Sequence, residues 1–309
     1  MNTKRILHTW SVGLLFAGAM LLTFVGCMDD DWMKTNNVVE GKPVTVSLKL
    51  GCKANSDIVV NTRVDNSISS IHRLRIFVYD EQGKYMQSLL YTGNSDTDDI
   101  TTLTKGNSSD EGQLYTAKFA TTSGKRKLIV IANAGGGYWQ TPGESVETYT
   151  YTQMKELAIN LSSKLAVNGV TPFQITDEAQ MLMTGYLDSV IFSEDGKVTD
   201  DSGNVLDPAI TLDRAFAHIT FKIAKGNGNF TPTSYRVYKI PTKSYLMNFQ
   251  TTQLEGIDYI YSASSVIDGV SDDSYTFDFY LPENIQPIAA DLAGPPPVDA
   301  TVYAKRDEW

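Results

Sequence analysis

Hydrophobic and polar residues alternate along much of this chain, and the alternation predicts strands. From Pro43, Val44, Val46, Leu48 and Leu50 alternate with Thr45, Ser47 and Lys49, the period of a half-buried strand. Residues 71–79 place Leu74, Ile76 and Val78 on one face and Arg73, Arg75, Phe77 and Tyr79 on the other; Asp80, Glu81, Gln82 and Gly83 then turn the chain into a hairpin partner over 84–91. Residues 113–120 and 127–133 predict two more strands, and the run Leu128, Ile129, Val130 and Ile131 reads as buried on both faces. Short strands are predicted at 181–186 and 188–192, followed by turns at Glu194-Asp195-Gly196 and Asp201-Ser202-Gly203-Asn204. The cleanest alternation comes next, with Ala215, Ala217, Ile219, Phe221 and Ile223 set against Phe216, His218, Thr220 and Lys222. Further strands are predicted at 234–240, 245–249, 259–262 and 275–281, spaced by turn residues as in a sandwich with Greek-key connections.

Three stretches break the period. Residues 94–112 are rich in Asp, Ser, Thr and Gly; the acidic side chains of Asp96, Asp98, Asp99, Asp110 and Glu111 do not have EF-hand spacing, so a solvated loop is predicted over a calcium loop. Ala134-Gly135-Gly136-Gly137 matches neither phosphate-cradling pattern and reads as a turn. From Thr152 as cap, Met154, Leu157, Ala158 and Leu161 fall on one face at helical spacing, which predicts a helix covering the sheet.

The first residues carry a different pattern. Lys4 and Arg5 precede an apolar run from Trp10 to Val25, then Gly26 and Cys27, the order of a cleaved secretory signal. The run falls short of the roughly 20 residues that span a bilayer, and Asp29, Asp30 and Asp31 follow it where a basic stop-transfer flank belongs. Gly26-Cys27 resembles the lipobox of bacterial lipoproteins, in which the cysteine becomes a diacylated N-terminus; Phe24 stands where Leu is usual. The acidic triplet resembles the surface-export signal of Bacteroidetes lipoproteins.

Composition narrows the function. Of 309 residues, 26 are Lys or Arg and 36 Asp or Glu, net −10; loss of residues 1–26 removes Lys4 and Arg5 and no acid, giving −12. That balance argues against nucleic acid. With Cys27 acylated only Cys52 remains, so no intrachain disulfide forms and stability rests on the core. Cys52, His72 and His218 are too few for a structural zinc site, and neither metal nor cofactor is expected.

Taken together, the features resemble the fimbrillins, the subunits of the type V pili of Bacteroidales. The residues that carry the resemblance are Gly26-Cys27, the strand at 43–50, Arg63 ahead of the strand at 71–80, the segment 212–221 around Leu212-Asp213-Arg214, and Tyr280-Leu281-Pro282-Glu283-Asn284. The resemblance implies a mainly β chain of two β-sandwich, transthyretin-like domains with one or two short helices on the first. It implies a signal over 1–26, an anchored propeptide over 27–63, and domains at 64–205 and 206–309. Only about 25 residues follow Asn284, so the second domain is expected to be incomplete. It also implies cleavage between Arg63 and Val64 by a trypsin-like protease, release of the first strand, and filling of the vacated groove by a strand of a neighbouring subunit. The implied partners are other pilus subunits, the outer membrane through lipid on Cys27, and a host or bacterial surface receptor.

Two other readings compete. A glycan-capture lipoprotein would share the export signal, with Tyr138, Trp139, Tyr235, Tyr238 and Tyr245 as a stacking platform. An enzyme would need a pair such as Asp213 and Glu283, whose separation no sequence spacing fixes, and the chain has no nucleophile elbow, HExxH or Ser-His-Asp order. Catalysis is not expected.

Overall fold

The structure is a computed structural model describing residues 39–53, 70–109, 112–134, 149–160, 181–225, 231–235, 240–241, 243–247, 259–260, 265–267, 269–271 and 274–282. The period-two segments form strands almost where the alternation places them. In chain order these are β1 (Pro43–Lys53), β2 (Leu74–Asp80), β3 (Tyr85–Tyr91), β4 (Ile100–Ser109), β5 (Gly112–Thr122) and β6 (Gly124–Ala132). A short helix α1 (Tyr151–Lys155) and β7 (Ala158–Asn160) precede β8 (Met183–Phe192), β9 (Val198–Thr199), β10 (Ile210–Arg214) and β11 (Phe216–Ala224). The remainder comprises β12 (Ser234–Tyr235), β13 (Ile240–Pro241), β14 (Lys243–Tyr245), β15 (Tyr259–Ile260), β16 (Ser265–Val266), β17 (Gly269–Val270) and β18 (Ser274–Pro282).

Nine strands make one curled sheet in the order β3-β2-β6-β8-β10-β1-β5-β4, with β9 on β8. The curl turns at β10, a strand shared by two layers. Its first half pairs with β1 at Ile210, Thr211 and Leu212, and its second half pairs with β8 at Asp213 and Arg214. A strand that passes from one layer to the next lets a sheet fold onto itself, so both inner faces bury side chains. The core between them includes Leu48, Leu50, Phe77, Phe119, Ile129, Ile131 and Phe192, each at most 1% exposed. Phe119 of β5 meets Phe192 of β8 edge to face, their ring centres 6.2 Å apart. Leu128 to Ile131 are buried on both faces, as their unbroken apolar run predicts.

After Ala215 the sheet membership changes. β11 pairs with β18 over nine residues, and β17 adds to β18. β12 pairs with β16, β13 with β15, and β14 with β7. Leu246 and Met247, just past β14, are fully buried in the same core as the large sheet.

Three expectations change. The loop predicted over 94–112 contains β4, which lies along β5 at the rim of the sheet. A rim strand has one open edge and, here, one wet face, so the hydrogen-bond ladder supports it with only Ile100 buried and Leu103 partly buried. The helix predicted from Thr152 is five residues long and begins one turn's edge earlier: Thr150 caps it, with its hydroxyl accepting from the Gln153 amide and the Gln153 side chain accepting from the Thr150 amide. It ends at Glu156 because Ala158–Asn160 pairs with β14 and the Leu157 carbonyl accepts from the Leu246 amide at 2.8 Å, so ladder bonds replace further helical turns. Leu161 lies outside the described residues. Finally, the two short strands predicted between 181 and 192 are one strand, β8, with an irregularity opposite Arg126 and Leu128.

Candidate functional site

The first strand lies inside the sheet, between β5 and β10. β1 pairs antiparallel with β5 over its whole eleven residues, from Pro43 opposite Thr122 to Lys53 opposite Gly112. Its other edge pairs parallel with β10 only at Leu50, Gly51 and Cys52. Val46, Leu48 and Leu50 are 0% exposed and Cys52 1%, whereas Thr45, Ser47 and Lys49 face solvent. Without β1, a groove would run through the sheet, walled by β5 and β10 and floored by the core.

Smaller contacts close the groove along the strand. The β8–β9 turn brings Gly196, at φ +80°, so near the Thr45 carbonyl that a Cβ would sit 2.3 Å from it. Only glycine takes both that conformation and that approach. The Ala209 amide donates to the Lys49 carbonyl at 3.0 Å, and the exposed Lys49 ammonium pairs with Asp207. Lys42 pairs with Glu194 at 2.7 Å. Burial pushes the Cys52 thiol up to about 12, a shift that the charge of Arg214 opposes.

The lead-in to β1 is held by the tight β5–β6 turn. The Gly41 amide donates to the Ser123 carbonyl at 3.0 Å and the Ser123 amide to the Lys42 carbonyl at 2.8 Å. The Lys42 amide donates to Ser123 Oγ at 3.2 Å, and that hydroxyl donates to the Val39 carbonyl. Glu40 reaches across the turn. Its Oε1 accepts from the Lys125 amide at 2.8 Å and its Oε2 from Arg126 Nη1 at 2.8 Å. The Arg126 side chain is 3% exposed and also donates to the carbonyls of Thr122, Ser123 and Lys125 and to Thr122 Oγ1.

On the far side of residues 54–69, the chain returns through a second clamp. Asn133, at φ 59°, accepts from the His72 amide at 2.8 Å and the Arg73 amide at 3.3 Å, and donates to the carbonyls of Ser70 at 2.8 Å and Met181 at 3.1 Å. The Ile71 amide donates to the Tyr115 hydroxyl at 3.2 Å.

Of the residues singled out by sequence, Gly26, Cys27, Arg63, Val64, Tyr138, Trp139, Tyr238 and Glu283 lie outside the described residues. Cys52 is buried in β1 and His72 is exposed ahead of β2. Tyr235 stacks on Phe277 at 4.3 Å and Phe279 at 5.9 Å, and Tyr245 sits in β14 against β7, so these two tyrosines belong to different small sheets. Asp213 is in β10 opposite Thr184. Among the described residues no three His, Cys, Asp or Glu side chains gather as a metal would require. The alternation found β1 but not Glu40, Ser123, Gly124 or Arg126. The signal for Arg126 was parity: it falls in step with Leu128, Val130 and Ala132, whereas Lys125 and Lys127 point outward.

The fold and groove define a β protein whose sheet is completed by a strand from its own N-terminal segment. The Major fimbrial subunit protein (FimA) family matches residues 44–214, more than half of the 309 residues, and the chain belongs to that family. It is therefore a structural or adhesive subunit of a cell-surface fimbrium, a member of an assembly with other pilus subunits. The matched region runs from the first inward residue of β1 to the last residue of β10, the extent of the nine-stranded sheet. Among solved structures, a putative adhesin from Bacteroides thetaiotaomicron is similar at 15% identity over 82% of this chain and 73% of that one, with a TM-score of 0.47. The tip fimbrial protein Mfa3 from Porphyromonas gingivalis, with C-terminal truncation, is similar at 14% identity over 79% and 71%, TM-score 0.44. The fimbrial anchor protein Mfa2 from the same organism is similar at 9% identity over 78% and 76%, TM-score 0.37. No curated protein matches the sequence.

Proposed function

We propose that this fimbrial subunit is exported as a lipoprotein acylated on Cys27, is cut between Arg63 and Val64, and then polymerises by exchanging β1 for a strand of a neighbouring subunit. On this reading residues 1–26 are the signal and 27–63 the propeptide. The mature body comprises 64–205 and 206–309, it resides on the outer membrane and then in the fimbrium, and it has no catalytic role.

The observation that carries the reading is the placement of β1. It is an inner strand of the sheet, yet only the 54–69 segment, with Arg63 in it, joins it to the rest of the body. Three fully buried aliphatic side chains at roughly 1.5–3 kcal/mol each amount to roughly 5–9 kcal/mol. Whole domains are stable by only about 5–15 kcal/mol. A body that lost β1 and gained nothing would be close to unfolding, so release and refilling must be coupled. An extended strand with apolar residues at every second position restores both the ladder and the buried faces.

The test is mass spectrometry of the N-terminus before and after mild trypsin, with oligomer state read on unboiled gels. A new terminus at Val64, loss of residues 27–63 and a ladder of oligomers are expected. Protein that carries the Val64 terminus, has lost residues 27–63 and stays monomeric refutes strand exchange; protein whose terminus remains acylated Cys27 after trypsin refutes the cut at Arg63. Arg63→Ala is expected to block maturation, read as a terminus that stays at Cys27 after mild trypsin, since it removes the basic side chain that a trypsin-like protease needs at the cut.

A further inference from the structure

We infer that the groove recognises a carboxylate as well as an apolar pattern: the strand that replaces β1 carries a Glu or Asp at the end lying against the β5–β6 turn, seated where Glu40 sits. The inference rests on the strand-exchange reading and names the chemistry of the partner, an extended segment of a neighbouring subunit.

Three features make a carboxylate receptor there, and all belong to the body that would remain after cleavage. Gly124, at φ +129°, supplies the space, because a Cβ on it would lie 2.1 Å from Glu40 Oε2. The Lys125 amide donates to one carboxylate oxygen and Arg126 Nη1 to the other, both at 2.8 Å. The guanidinium is 3% exposed, whereas the Glu40 side chain is 60% exposed, so the cation is built into the protein and the anion arrives from outside. Among the described residues the Arg126 Nε has no hydrogen-bond partner, and the remaining bonds of the guanidinium go to neutral oxygens of residues 122, 123 and 125. Glu40 is its ion-pair partner among the described residues. Withdrawal of the propeptide would therefore leave a buried positive charge without its counterion, a costly state that a second carboxylate relieves. By contrast the Lys42–Glu194 pair is exposed on both sides and selects little.

The position also fixes register. Apolar residues at every second place would fit the groove equally well after a slip of two residues, and a slip of two keeps every side chain on its proper face. A charged group that must meet Arg126 removes that degeneracy.

The test uses trypsin-cut protein and fluorescein-labelled peptides spanning residues 39–53: the natural sequence, Glu40→Gln and Lys42→Gln. Charge-assisted hydrogen bonds of this kind predict uptake of the Glu40→Gln peptide that is weaker by about tenfold or more. The Lys42→Gln peptide should stay within about threefold of the natural one. Because the substitutions are in the peptides, all three are offered to the same cut protein. Equal uptake of all three peptides overturns the carboxylate requirement and leaves strand exchange standing. Uptake of none, when the peptides are present during the cut after Arg63 and the protein is shown by circular dichroism to stay folded after losing residues 39–53, overturns both.

Discussion

Leu48→Ala probes how much of the sheet depends on its first strand. Leu48 is 0% exposed, opposite Ala117 on β5, in the core between the two layers. Truncating a buried leucine costs about 2–5 kcal/mol, more where the surroundings cannot close over the void. Here β1 is fastened along eleven residues to β5 and at three residues to β10, so its backbone cannot sink inward, and the cost should fall in the upper half, about 3–5 kcal/mol. With a urea m-value of about 3 kcal/mol/M, the midpoint should drop by about 1–1.7 M while the slope stays constant. Ser47→Ala, one residue away on the exposed face, should change stability by less than about 0.5 kcal/mol. Equilibrium urea unfolding followed by far-UV circular dichroism measures both. A loss under about 1 kcal/mol for Leu48→Ala at unchanged slope would show that β1 lies on the core without helping to hold it, and the exchange argument would lose its energetic basis.

Asn133→Ala should cost about 3 kcal/mol or more, because it removes a buried side chain that serves four backbone groups and puts alanine in a left-handed conformation; a loss below 1 kcal/mol in thermal or urea unfolding would contradict the clamp. Tyr79→Phe should raise the melting temperature, since the fully buried Tyr79 hydroxyl has no hydrogen-bond partner among the described residues and its removal relieves a desolvation cost of about 1 kcal/mol; a fall would indicate a bound partner for that oxygen. Cys52, held up to about 12, binds its proton more tightly folded than unfolded, so the stability tied to it is complete below about pH 8.5 and lost as pH rises toward 12. Burial shifts Tyr79 and Tyr151 in the same upward direction, and urea midpoints taken from pH 8 to 11 should fall; a flat profile would refute this. The same thiol should ignore a disulfide reagent in the uncut protein and react once the propeptide is released.

The legible parts of the fold were those where burial alternates. Val44 to Leu50, Leu74 to Tyr79 and the Leu128–Ile131 run disclosed both their conformation and their depth, because one or both faces meet the core. β4 was illegible for the converse reason: its ladder with β5 holds a sequence such as Thr-Lys-Gly-Asn-Ser without asking for apolar side chains. The stripe Met154, Leu157 and Ala158 had helical spacing, but Met154 is buried from a single helical turn whereas Ala158, half-buried, lies in a strand, so tertiary pairing decided what local periodicity could not. The strand β1 could be foreseen from its pattern, whereas a groove beneath it was only what the fimbrillin resemblance implied. The carboxylate receptor left only a parity signal, Arg126 in step with Leu128, Val130 and Ala132, inside a Lys125-Arg126-Lys127 triplet that otherwise resembles any solvated basic run.

The orientation of β1 has a mechanical consequence. Ladder bonds in an antiparallel pair stand perpendicular to the strands. If a neighbour's strand occupies the groove as β1 does, a pull along the fibre acts along that strand and loads the bonds to β5 side by side, in shear. Peeling from one end would break them in succession; shear requires them to give way together. The Glu40 site, at one end of the eleven-residue ladder, would then work as a stop against sliding, and a fibre of such subunits would resist drag through the length of its joints instead of through any covalent link.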